Sequence, residues 1–159
     1  QIVRTLSAYA SRTLVVEFSP PSDPIVAPWM RPDHGWYTLD DFITAMRQPC
    51  FKIWGHALGR YVLSRPPFAC HMDEVLDAIA ESRAIIEVNG DPHRLDLAPL
   101  HIRAAKRRGI RFVVSADAHS TTGISNLRWG VDMARRGWLT KNDVLNTLDA
   151  SDFAAAVRP

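Results

Sequence analysis

FVVSADAHS, residues 112–120, is an apolar, β-branched run that ends by setting Asp117 and His119 two residues apart. Such a run, bounded by polar residues, reads as a buried strand. Working outward, TLVVEF (13–18), FKIWG (51–55) and AIIEVNG (84–90) read the same way. The segments between them carry apolar residues at helical spacing. Ile2, Val3, Leu6, Tyr9 and Ala10 share one face before the first strand. Thr38 with Asp40 and Asp41 opens a helix that must end before Pro49. HMDEVLDAIAES (71–82) forms the next, and LAPLHIRAAKRRG (97–109) closes on Gly109 in the position after the helix cap. Ile124, Leu127, Val131 and Ala134 mark another, and Thr140 with Asp143 caps a last one bearing Val144, Leu145 and Leu148.

Four short strands alternating with helices predict an α/β fold with a mainly parallel sheet, because parallel neighbours need a crossover and it is usually helical. At 159 residues the chain forms a single domain over 1–159. Its one irregular stretch is 19–37, where Pro20, Pro21, Pro24, Pro28 and Pro32 exclude regular structure around Trp29 and Trp36. The 47% hydrophobic and 23% charged fractions are those of a globular protein, with no apolar run long enough for a membrane span. The opening QIVRTLSAYASR lacks the pattern of a secretory signal, and two cysteines, Cys50 and Cys70, make a reducing cytoplasm the expectation. A net charge of +2 is too small a bias to indicate nucleic-acid binding, and KRR (106–108) and ARR (134–136) read as solvated helix ends.

Parallel sheets carry their sites at the C-terminal ends of the strands. The residues there are Glu17, His56, Glu87 with Asn89, and Asp117 with His119. Each has an ordinary reading: a strand-end histidine is commonly a hydrogen-bonded structural group, and Asp117 could cap the following turn. Convergence outweighs these, because one edge receives His56, Asp117 and His119 together. Imidazole and carboxylate are donors that suit Zn, Mn or Fe. His34 is a further candidate from the loop, His93 lies near the rim, and His71 and His101 read as helix residues. No G-x-S-x-G elbow, phosphate-binding loop, dinucleotide fingerprint or CxxC pair is present.

WGHALGRYVLSRPPF, IIEVNGDPHRLDL, VVSADAHS and NLRWGVDMARRGWLTKNDVLNTL, taken in order, resemble the C-terminal part of the polymerase and histidinol phosphatase (PHP) domain, in the version fused to bacterial family-X DNA polymerases. The resemblance covers 46–149 and leaves 1–45 as a divergent helix, strand and loop. It implies a truncated, distorted β/α barrel whose rim binds divalent metals and hydrolyses phosphoesters. It makes His56, Asp117 and His119 metal ligands, with Glu17 or His34 completing the set. It places Asn89 and Arg94 near a bound substrate, and Arg60 offers a guanidinium that suits phosphate. The family's opening HxH pair is absent. Two functions follow: a metal-dependent phosphoesterase acting on phosphomonoesters or DNA 3′ ends, or an inactive remnant serving in metal binding or assembly. A barrel cut to about four strands also has open edges, from which self-association is expected.

Overall fold

The computed structural model describes residues 14–16, 39–67 and 70–157. The helix expected over 2–10, the Pro-rich loop, Thr38, Glu17 and His34 lie outside them. Four strands, β1 (Leu14–Val16), β2 (Lys52–Trp54), β3 (Ala84–Asn89) and β4 (Phe112–Ser115), form one sheet in the order β1-β2-β3-β4. Every pairing is parallel, with Val16 beside Trp54, Trp54 beside Ile86, and Asn89 beside Ser115.

The crossovers carry α1 (Leu39–Met46), α2 (Met72–Ala80) and α3 (Pro99–Arg107), and α4 (Leu127–Arg136) follows β4. Strand alternation explains what they cover. Trp54, Ile86, Val88, Phe112 and Val114 point to one face and pack against Phe42 and Met46 of α1, Leu76 and Ile79 of α2, Ile102 of α3, and Met133 of α4. Phe42 meets Trp54 edge-on at 5.3 Å between ring centroids. Four helices on one face of a sheet with sequential strand order is the winding of a β/α barrel segment, not of a doubly wound sheet. The α/β expectation holds, and the architecture is compatible with part of a barrel.

The opposite face, which would line a closed barrel, carries Phe51, Ile85, Val113 and Leu145. A fifth helix, α5 (Ala150–Val157), packs there through Phe153, Ala156 and Val157. The sequence reading did not include α5 and expected a helix further upstream. Instead, Lys141–Asp143 and Leu145–Thr147 are two short 3-10 turns, and Val144 between them is extended with φ −113° and ψ 114°. The helical spacing of Val144, Leu145 and Leu148 misled because Val144 pairs with Phe112 of β4 as an isolated bridge and joins the helix-side core, while Leu145 turns to the other face.

Asn146 continues that role. Its Oδ1 accepts the Val114 N–H at 3.0 Å and its Nδ2 donates to the Val114 carbonyl at 2.8 Å, so a side-chain amide stands in for one residue of a neighbouring strand. The β4 edge expected to be open is therefore partly capped.

Candidate functional site

The C-terminal ends of β2, β3 and β4 meet as expected. Glu87, Asn89 and Ser115 alternate onto the face away from the helix layer, and Glu87 becomes the hub that joins all three strand ends. Its carboxylate accepts the Ser115 hydroxyl at 2.6 Å, the Asn89 amide at 3.2 Å and the His56 backbone N–H at 2.8 Å. The last bond fixes the turn that follows β2. Asp96, buried, fixes the same turn from the other side by accepting the Leu58 N–H at 2.7 Å. Burial pushes the Asp96 carboxyl above the ordinary range, against the opposing pull of that N–H and of Arg60.

His56 and Asp117 both sit at positive φ, +45° and +49°. Residues with a Cβ seldom occupy this region, and those that do concentrate where a structure holds a side chain in a required direction. Here the two side chains are turned toward each other. His56 Nε2 lies 3.1 Å from Asp117 Oδ2, and Arg94 Nε lies 2.9 Å from the same oxygen. Neither approach has hydrogen-bond alignment, so Oδ2 is a buried acceptor without an aligned donor. Burial opposes ionisation of Asp117, but the Asn89 amide, His56 and Arg94 outweigh it and hold the carboxyl below its usual range.

The donor set tests whether a metal fits. Two ligand atoms about 2.0–2.2 Å from one ion stand about 3.0–3.5 Å apart at tetrahedral or octahedral angles. The His56–Asp117 separation of 3.1 Å meets this. His119 does not complete the set: it is exposed, its Nδ1 lies 2.8 Å from the Asp117 backbone carbonyl, and it is 4.0 Å from Oδ1. Among the described residues no three His, Cys, Asp or Glu side chains form a cluster able to hold a metal. The fit is thus that of a half-site.

The remaining candidates separate by their partners. Arg94 stacks its guanidinium 4.5 Å from the Tyr61 ring centroid and donates to the Tyr61 hydroxyl at 2.9 Å, while its Nε faces Asp117. Arg65 approaches the same ring at 4.7 Å. Arg60 commits Nε to the Arg94 carbonyl at 2.8 Å and Nη2 to the Leu95 carbonyl, so it braces the segment that presents Arg94. Asn89 is fully buried, bonded to Glu87 and, through Oδ1, to the Asp91 N–H at 2.9 Å. His93 is exposed and pairs with Asp91 at 2.9 Å. His71 pairs with Glu74 at the start of α2, and burial lowers the His101 imidazole within α3.

Sequence reasoning missed the Glu87 hub and the Arg94 contact to Asp117. Glu87 alternates with buried Ile86 and Val88, a signal that placed it on the rim face without showing its partners. Arg94 follows a turn and carried no geometric signal.

No family model matches the chain. Over 115 residues it is 29% identical to the curated protein "DNA polymerase/3'-5' exonuclease PolX" of Bacillus subtilis (strain 168), covering 72% of this chain and 20% of that protein. The chain therefore spans about a fifth of the length of this relative, and its relationship to it is PolX-like over that stretch.

Proposed function

We propose that the rim is a phosphoester-hydrolysing site of the PHP type, dependent on a divalent metal and acting on phosphomonoesters or DNA 3′ ends. The observation that carries this reading is the pair His56–Asp117: two non-glycine residues at positive φ, each the second residue after a strand, aimed at each other at the spacing of two ligands on one ion. The relative, named as a DNA polymerase and 3'-5' exonuclease, points to the same reaction class.

His56 and Asp117 would hold the ion; Glu17 and His34 are the candidates to complete the set, and His119 would join it only by turning away from the Asp117 carbonyl. A bound divalent ion supplies charge stabilisation at a phosphoryl oxygen and an acidified water. The chain's own residues do the rest. Glu87 holds the His56 backbone, and Asn89 holds Glu87. Arg94, positioned by Tyr61 and Arg60, offers the guanidinium nearest to the carboxylate and so to a substrate phosphate.

The test is hydrolysis of p-nitrophenyl phosphate and of a 3′-labelled oligonucleotide by chelated protein, before and after adding Mn, Zn or Fe(II). Metal-stimulated turnover that Asp117→Asn removes supports the proposal. Turnover unaffected by that change contradicts it. A second reading, an inactive remnant, is favoured by the contact of Arg94 with Asp117, which already neutralises the carboxylate. It expects no turnover with any metal and an assembly role insensitive to Asp117→Asn.

A further inference from the structure

The opposite, N-terminal edge of the sheet holds a cleft of about 230 Å³ beneath β3 and β4. Arg83 and Arg111 enter it directly before those two strands, and among the described residues no carboxylate lines it. Phe51, Ile85 and Leu145 supply an apolar wall. Arg111 Nε is buried without a hydrogen-bond partner, and its backbone is pinned because its carbonyl accepts the Ile86 N–H at 3.1 Å.

A third basic side chain lies near Arg83. Lys52 is fully buried, with Nζ donating to the Gln48 carbonyl at 2.5 Å and the Cys50 carbonyl at 2.7 Å. Burial lowers its ammonium pKa, Cys50 raises it, and the charge of Arg83 lowers it again, which places that guanidinium within electrostatic reach. Cationic groups gathered at a concave, partly apolar wall focus positive potential into the cleft. Guanidinium groups suit planar or tetrahedral oxyanions, and an unpartnered buried donor gains most from one.

We propose that this cleft is a binding site for a small oxyanion, a phosphate or carboxylate on a short apolar stem, held by Arg111 with Arg83 and covered on the stem side by Phe51, Ile85 and Leu145. Its volume is below the roughly 300–1,000 Å³ of sites for drug-sized ligands, which limits the occupant to a group about the size of a substituted benzene ring. The site lies at the end of the sheet opposite the rim and is independent of the hydrolytic reading.

Titration calorimetry on the chelated full chain tests it with four probes: phenyl phosphate, phenylacetate, inorganic phosphate and benzyl alcohol. The expected result is a Kd near or below about 1 mM for at least one of the two aryl anions, at least tenfold weaker binding of inorganic phosphate, and no binding of the alcohol. The stronger aryl anion identifies the preferred head group. Arg111→Met removes the charge, and Ala80→Trp fills the cleft from its exposed side; each should weaken binding at least about tenfold. His56→Asn, at the rim, should leave it unchanged. Binding of neither aryl anion below about 10 mM overturns the proposal, as does equal binding of the alcohol or loss of binding in His56→Asn. Should Arg111→Met fail to fold, Ala80→Trp decides alone.

Discussion

At the scale of single residues, the site turns on two backbone positions. His56 and Asp117 adopt left-handed conformations that asparagine tolerates better than most residues. His56→Asn and Asp117→Asn therefore remove a proposed ligand without adding backbone strain. Each is expected to lower metal-stimulated hydrolysis by about 100-fold or more while leaving the unfolding midpoint within a few degrees of wild type. Steady-state assays alongside thermal melts check both halves of that statement. Proline or a β-branched residue at either position should instead unfold the rim. The three rim side chains were legible because each directly follows an apolar run, where strand periodicity ends and the fold rule assigns an edge. Their distances were not, since the approach of His56 to Asp117 depends on two positive φ values that no residue identity at those positions announces. His119 shows the converse: its spacing from Asp117 was right for a shared point, but the turn sends its Nδ1 to the Asp117 backbone.

At the scale of elements, helices with regular apolar spacing were readable, whereas the segment after α4 was not. Thr140 and Asp143 do interact as a cap, with Asp143 Oδ2 accepting the Thr140 N–H at 2.6 Å and its hydroxyl at 2.8 Å, but the turn they cap is a short 3-10 one. Lys106 of α3 reaches the same oxygen at 2.9 Å. Burial opposes ionisation of Asp143, yet the Thr140 and Lys106 contacts outweigh it and depress the carboxyl. A depressed carboxylate contributes stability above its unfolded value, about 3.9, and loses it as pH falls through the lower folded value. Asp143→Asn should thus cost about 1 kcal/mol at neutral pH in urea unfolding. The difference from wild type should shrink as the pH is taken below about 4.

The β4 edge depends on Asn146 in the same way. Asn146→Ala leaves the Val114 N–H and carbonyl without partners, an expected loss of about 1–3 kcal/mol and a greater tendency to aggregate. Where α4 crosses β3 and β4, Gly90 admits no side chain: a Cβ there would lie 2.6 Å from the Asn126 carbonyl oxygen and 2.8 Å from the Ser115 carbonyl oxygen. Gly90→Ala should force α4 away from the sheet and destabilise by about 1–3 kcal/mol, measurable by chemical denaturation.

At the scale of the whole molecule, alternation of strands with helices was enough to give a parallel α/β layer. It was silent on what fills the inner face. That task falls to α5, a short alanine-containing helix whose start is held by Asp149, which accepts the Asp152 N–H at 2.8 Å and the Ser151 hydroxyl at 2.9 Å. On that inner face α5 occupies space that the far side of a closed barrel would fill. The self-association expected from exposed edges now rests on β1, which pairs with β2 alone among the described residues. We propose that a second copy covers that edge; light scattering at micromolar concentration should then return a dimer, and a monomer would rule it out. No helix among the described residues is long and apolar enough to cross a membrane.

The central claim is that the rim pair holds a metal that makes phosphoester hydrolysis possible. Its most direct measurement is the rate of p-nitrophenol release as Mn is titrated into chelated protein, with wild type and Asp117→Asn run side by side. Wild type should show a saturable, metal-dependent rate that falls by about 100-fold or more in the variant. A rate indistinguishable from buffer in wild type at every metal concentration, or equal in the two proteins, would contradict it.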